Sequence, residues 1–320
     1  MKVFCGEAEV PHTIGPTAVT IGKFDGVHAG HRAVISRLRR LATERDLTSV
    51  VVTFDRNPLE VLAPDRCPPS LVSRNQKSEL LAEMGIDGTL VLEFDEGLAS
   101  LDPETFVVRI LVDTLNVAVV LTGHDFRFGD QGSGDVELLT KLGARYGFEV
   151  ILIDDVGVRG GDRVSSTYIR SLLSEGLVAD AARVLTRFPR VRAEVVHGAA
   201  RGRELGFPTA NLSENFEGLA PADGVYAGWL IDGGCTFAAA ISVGDNPTFD
   251  THDVKQVEAY VLDQNLDLYG HIVEIVFVER LRDMIAFTGV EPLIAQIHDD
   301  VERTRLVLKG RPDPDRVDLS

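Results

Sequence analysis

Residues 17–54 read TAVTIGKFDGVHAGHRAVISRLRRLATERDLTSVVVTF. Its two ends, TAVTIG and SVVVTF, are short apolar runs rich in β-branched residues, the composition of a strand. Between them, HRAVISRLRRLATER spaces its apolar residues at helical intervals. The alternation continues through GTLVLEF (88–94), VAVVLTG (117–123) and EVILID (149–154), with PETFVVRILVDTLN (103–116) as a further helical spacer. This βαβα rhythm implies a parallel sheet covered by helices on both faces. In such sheets ligands gather beyond the carboxyl ends of the strands, so the informative residues should follow each apolar run.

From about Arg190 the rhythm changes. VRAEVVHG, GVYAGWLI, CTFAAAISV, KQVEAYVLD and HIVEIVFVE alternate polar and apolar residues and are separated by Gly, Asn, Asp and Pro turns. No helix-length spacer intervenes until EPLIAQIHDDVERTRLVL (291–308). That pattern reads as a small antiparallel β-barrel closed by one C-terminal helix. The expected fold class is therefore α/β, a Rossmann-like parallel sheet over 1–186 followed by the barrel and its helix over 187–320.

Composition sets bounds on function. The chain has 320 residues, 44% hydrophobic and 25% charged, enough for two soluble domains with substantial cores. Its formal charge is −17 and neither half is basic, which argues against a duplex-binding surface or an anionic-membrane anchor. Three scattered cysteines suit neither a disulfide framework nor a zinc site. The opening MKVFCGEAEV lacks a basic region followed by an apolar stretch, and no apolar run nears the ~20 residues that span a bilayer. A cytoplasmic enzyme with no nucleic-acid or membrane partner is expected.

After the first apolar run comes KFDGVHAGH. His28 and His31 form H-x-G-H at a strand-to-helix junction, where backbone N–H groups and the helix dipole favour phosphate. Gly30 lets a nucleotide approach the backbone. Two imidazoles at this spacing suit charge stabilisation on ATP phosphates while pyrophosphate leaves; the plain alternative is a pair of capping histidines. Asp25-Gly26 likewise reads as a turn. After the fifth run, SSTYIRSLL offers Ser165, Ser166, Thr167 and Arg170, either as ordinary N-cap chemistry or as a triphosphate clamp. Together the two motifs have the order and spacing of class I nucleotidyltransferases, with Val164 in the place of the usual isoleucine.

In the second half, VVHGAARGRELGFPTANL is the strongest single signal. Gly198, Gly202 and Gly206 permit a loop that wraps closely around phosphate, and Pro208-Thr209-Ala210-Asn211 follows it. A Gly-rich surface loop with an Asn-capped turn is the alternative.

The segments FDGVHAGH, VVTFDRNPLEVL, TGHDFRFG and SSTYIR resemble, in order, those of bacterial bifunctional riboflavin kinase/FAD synthetases. PTAN, PADGVYAG, SVGDNPTF and VEAYVLDQNLDLYG resemble the kinase half of the same family. The resemblance covers about residues 18–308. It implies that ATP is bound for adenylyl transfer by Gly22, Phe24, Asp25, Gly30, Ser165, Ser166, Thr167 and Arg170, with His28 and His31 catalytic. Asn57, Pro58, Asp125 and Phe126 are implied to line the same site for ATP and flavin, although Asn-Pro is a common turn and Phe126 could serve the core. In the kinase half it implies ATP binding by Gly198, Gly202, Gly206 and Pro208. Thr209 and Asn211 would then be ligands of an ATP-bound Mg²⁺, with Glu258 as the base. An exposed sheet glutamate is the competing reading of Glu258.

The implied chemistry is phosphorylation of riboflavin by ATP to FMN and ADP, then adenylylation of FMN by a second ATP to FAD and pyrophosphate. Flavins are substrate and product, and Mg²⁺ accompanies ATP. Arg56, Asn57, Tyr168 and Met284 depart from the family's usual residues. A chain with kinase activity alone, a nucleotidyltransferase for another phosphate ester, and a flavin-binding protein without turnover are the rival readings.

Overall fold

The computed structural model describes residues 1–154, 164–198, 206–245, 255–311 and 314; Gly202 and residues 246–249 of SVGDNPTF lie outside them. The chain divides into two compact units, Met1–Val164 and Ser165–Ser320.

The first unit is built on six parallel strands: β1 (Lys2–Cys5), β2 (Thr17–Ile21), β3 (Thr48–Phe54), β4 (Gly88–Leu92), β5 (Val117–Gly123) and β6 (Glu149–Ile153), in the order β1-β4-β3-β2-β5-β6. Five of these are the apolar runs. The sixth, β1, lies at the sheet edge and buries only Phe4 among its four residues, too little for a periodic signal.

Strict alternation divides the core between the two faces of the sheet. Val19 and Ile21 of β2 and Val50 and Val52 of β3 point to one face, with Phe106, Ile110, Leu111, Leu139 and Phe148. Ala18 and Val51 point to the other, against Ile35, Leu38 and Ala42 of the helix Ala29–Glu44 and Leu80 and Leu81 of the helix Arg74–Glu83. The spacer expected at 103–116 begins as an α-helix, Pro103–Phe106, and continues as a π-helix, Val107–Thr114. Thr114 Oγ1 donates to Arg109 O five residues back, at 2.8 Å, which suits the wider turn. Strand order reverses at β2, which has β3 on one side and β5 on the other. The crevice above that reversal is where such sheets hold ligands.

The second unit opens with two helices, Ser166–Ser174 and Val178–Leu185. Six antiparallel strands then close a barrel: β7 (Arg190–Val196), β8 (Thr209–Leu212), β9 (Gly224–Asp232), β10 (Cys235–Asp245), β11 (Lys255–Val261) and β12 (Ile272–Arg282), in the order β10-β11-β8-β7-β12-β9. β9 and β12 press so closely that a Cβ on Gly228 would stand 1.9 Å from Val276 O. The helix Val290–Leu308 is tied to β12 by a buried bidentate pair, Arg282 Nε to Asp300 Oδ1 at 2.9 Å and Arg282 Nη2 to Oδ2 at 2.7 Å.

The expected domain boundary at 186/187 runs through a packed region. Ala182 is fully buried in one cluster with Phe188, Trp229, Val276, Val278 and Leu308, so the second of the two opening helices belongs to the barrel's core.

Candidate active sites

At the end of β2 the chain makes a tight turn through Gly22–Val27 into the helix Ala29–Glu44. Phe24, Gly26 and Val27 all have positive φ, at 49°, 79° and 39°. For a β-branched residue such as Val27 that conformation costs on the order of 1–3 kcal/mol and persists only where the surroundings impose it. Phe24 and Val27 are fixed by burial, at 3% and 0% exposure.

His28 caps the helix, its Nδ1 accepting from His31 N–H at 3.4 Å. The two imidazoles stack with centroids 3.7 Å apart and planes 14° from parallel, and the Phe24 ring lies 5.0 Å from His31. Burial first, and then the neighbouring His28, hold His31 well below the ordinary histidine range. Two rings in van der Waals contact resist carrying two positive charges. A Cβ on Gly30 would meet the His28 ring at 3.3 Å, and one on Gly22 the Phe24 ring at 3.1 Å. Both glycines thus keep room for the aromatic groups of this turn. Asp25 accepts from Leu71 N–H at 2.9 Å, joining the turn to the segment before the next long helix.

The turn after β3 carries Asp55, Arg56, Asn57 and Pro58. Asn57 caps the short helix Pro58–Leu62 and forms a reciprocal box with Glu60. Its Oδ1 accepts from Leu59 N–H at 3.2 Å, and its own N–H donates to Glu60 Oε1 at 3.2 Å. Arg56 pairs with Asp55 at 2.9 Å. Burial opposes ionisation of Asp55, but the Phe94 N–H and Arg56 outweigh it and hold the carboxyl below its usual range. After β5, Asp125 is exposed, while Phe126 is half-buried and stacks on Phe128, centroids 5.5 Å apart. His124 contacts Asp154 at 3.1 Å, so the ends of β5 and β6 also meet.

Ser165 caps the helix Ser166–Ser174, its Oγ accepting from Tyr168 N–H at 3.2 Å. Ser166, Thr167 and Arg170 follow within the first turns, on a helix anchored by fully buried Ile169. These residues belong to the second compact unit, His28 and His31 to the first.

In the barrel, Thr209, Ala210 and Asn211 of the PTAN motif lie on strand β8, with Pro208 just before it. β8 pairs with β7 on one side and β11 on the other, placing Asn211 opposite both Val196 and Glu258, and Thr209 opposite Tyr260. Along β11, Val257, Ala259 and Val261 are buried while Gln256, Glu258 and Tyr260 take the other face. Thr209 and Asn211, two apart, share that face with Glu258. Thr209 Oγ1 donates to Glu258 Oε2 at 3.3 Å, and Asn211 Nδ2 donates to Thr209 O at 3.2 Å. Gln256, which sequence reasoning passed over, donates to Asn211 Oδ1 at 3.4 Å. A Cβ on Gly198 would stand 2.4 Å from Asn211 Oδ1, so the glycine leaves the space that the amide fills. Gly206 has a positive φ of 86°, which glycine accepts without strain, and Pro208 is exposed beside it.

The oxygens brought together here are a hydroxyl, an amide and one carboxylate. Among the described residues no group of three or more His, Cys, Asp or Glu side chains could hold a metal. The donor set instead suits a hard cation that keeps waters and nucleotide oxygens in its shell.

Comparison with known proteins adds a second line. The family model for FAD synthetase matches residues 10–168, and that for riboflavin kinase matches 185–308. The chain is 37% identical over 288 residues to the bifunctional riboflavin kinase/FMN adenylyltransferase of Listeria monocytogenes, covering 90% of this chain and 91% of that protein. To the enzyme of the same description from Escherichia coli K12 it is 36% identical over 283 residues, covering 88% and 90%. A solved structure described as a macrolide-efflux protein from Streptococcus pneumoniae superposes with a TM-score of 0.85 at 30% identity, covering 95% of this chain and 98% of that one. No helix among the described residues is long and apolar enough to cross a membrane. With both halves matched in order and relatives aligned along nearly the whole length, the chain belongs to the bifunctional riboflavin kinase/FMN adenylyltransferase family.

Proposed function

We propose that the family's two activities run in this chain at two separate places, with FMN made in the barrel and FAD made at the parallel sheet. The observation that carries this reading is the meeting of Thr209, Asn211 and Glu258 on one barrel face, while His28 and His31 stack at the end of β2. In the barrel, Thr209 and Asn211 would hold Mg²⁺, which supplies charge neutralisation on the transferring phosphate of ATP. Gly198, Gly202, Gly206 and Pro208 would line its phosphates. Glu258 would take the proton of the ribityl hydroxyl as its oxygen attacks the γ-phosphorus. At the sheet, His28 and His31 would stabilise charge on ATP as FMN displaces pyrophosphate. Gly22, Phe24, Asp25 and Gly30 would shape the phosphate turn, and Ser165, Ser166, Thr167 and Arg170 are the other residues that the family resemblance implies for ATP. Asn57, Pro58, Asp125 and Phe126 would line the nucleotide and flavin site. The chain would act in the cytoplasm.

Incubation with riboflavin, ATP and Mg²⁺, followed by chromatography, tests the whole. FMN and FAD together are expected; FMN alone would leave only the kinase, and unchanged riboflavin would sink both assignments. Chelation of Mg²⁺ should stop both steps, since ATP's concentrated charge would otherwise meet an acidic protein of net charge −17.

Two further outcomes follow from packing. Gly198→Ala should weaken FMN formation and spare FAD formation from supplied FMN, because its methyl group displaces the Asn211 amide. A fragment starting at Ser165 should melt at a higher temperature than one starting at Arg187. The shorter fragment loses Ala182 and exposes the cluster around Trp229 and Val276 to water.

A further inference from the structure

Lys77 is a half-buried lysine on the helix Arg74–Glu83, and neither proposed reaction uses it. Its Nζ donates to Phe54 O at 2.8 Å, to Thr53 Oγ1 at 3.3 Å and to Lys23 O at 3.5 Å. Three acceptors match the three protons of an ammonium, so no donor is left for a substrate. Thr53 Oγ1 also donates to Lys23 O at 3.2 Å, which closes a triangle between the ends of β2 and β3. One residue past Lys23 begins the strained Phe24–Val27 turn that delivers His28; one residue past Phe54 begins the Asp55–Asn57 turn. Burial pushes the Lys77 ammonium down, while Asp25 and Asp55, one in each turn, favour its charged form.

We infer that Lys77 is a positioning residue for adenylyl transfer, its ammonium fixing the separation of the two turns that follow β2 and β3. The last backbone bond between the two chains is Gly22 N–H to Val52 O at 3.0 Å, so beyond those residues the β2–β3 ladder no longer sets their spacing. The cation takes over where the ladder stops. The inference rests on the assignment of His28 and His31 to this reaction.

The test uses the full chain with Lys77→Met, which keeps the stem and removes the cation. FAD formation from supplied FMN should lose about tenfold to a hundredfold in kcat, the scale of an ångström-level misplacement. KM for ATP should stay within about threefold, because Lys77 has no donor free for phosphate. FMN formation from riboflavin in the same preparation should be unchanged, and Lys77→Arg should recover part of the lost kcat. Thr53→Val removes one acceptor and should give a smaller loss that does not add to that of Lys77→Met. A normal kcat in folded Lys77→Met overturns the inference, as does a loss carried wholly by KM or shared equally with the kinase. If Lys77→Met does not fold, an unchanged kcat in Thr53→Val overturns it instead. His28→Ala is measured alongside: normal FAD formation there would remove the site assignment itself, whereas loss there with normal Lys77→Met removes only the role of Lys77.

Discussion

Replacing His31 with alanine is expected to abolish measurable FAD formation from FMN while riboflavin phosphorylation continues in the same chain. The imidazole lies in the turn after β2, stacked on His28 at 3.7 Å, and every residue proposed for the kinase belongs to the other compact unit. Groups that stabilise developing charge in a water-poor site contribute on the order of 10²–10³-fold each. His28→Ala should have the same catalytic effect but also weaken the fold. His28 Nδ1 accepts from His31 N–H, and loss of such a cap costs about 0.5–2 kcal/mol. His28→Asn restores a capping acceptor, so it should recover stability without recovering FAD synthesis. A folded His31 variant that also lost FMN formation would overturn the two-site assignment.

The same residue fixes the sign of an acid effect. Burial, then His28, depresses His31 in the folded protein, so the unfolded chain takes up this proton first as pH falls. Stability is therefore undiminished above the unfolded value near ~6.5 and declines below it, until the folded group titrates as well. His31→Asn should flatten that part of a plot of melting temperature against pH.

Much of this architecture could be read from the sequence because its periods are plain. Four of the six parallel strands are apolar runs buried on both faces, and in the barrel β7 and β11 alternate buried and more exposed residues cleanly. β1 escaped because an edge strand with one buried residue has no period to detect. β8 escaped for a different reason: TANL follows a glycine-rich loop, and its strand character comes from pairing with β7 and β11, not from its composition. The opening helices of the second unit look like a tail to the first domain, and the burial of Ala182 with Trp229 and Val276 assigns the second helix to the barrel. Short patterns such as H-x-G-H stand out in the sequence as candidates, and the structure stacks its two histidines at the end of β2. Lys77 and Gln256 do not stand out, since each matters through partners more than 20 residues away, Phe54 for one and Asn211 for the other. Asn57 shows the converse. The sequence offers it as a site residue or a turn, and the structure gives its side chain a capping role at the start of the helix Pro58–Leu62.

Replacing Glu258 with glutamine should lower the rate of riboflavin phosphorylation by ~10²–10⁴-fold, the usual contribution of a positioned proton acceptor. The substitution keeps size and shape. The glutamine carbonyl oxygen can still accept from Thr209 Oγ1, the bond seen at 3.3 Å, so the β8–β11 face and its neighbours Asn211 and Gln256 should stay in place. What disappears is basicity. The loss should therefore fall on kcat, with the affinities for riboflavin and ATP moving far less. If Glu258 served instead as a ligand to the nucleotide-bound cation, the weaker amide donor would raise the Mg²⁺ concentration needed for half-maximal rate, and excess Mg²⁺ would restore activity. A base cannot be rescued in that way, so a Mg²⁺ titration of the variant separates the two roles. FAD formation from supplied FMN provides the internal control and should be unaffected. Near-normal FMN production by the folded Gln variant would reduce Glu258 to a strand residue whose hydrogen bond only holds Thr209 in its rotamer.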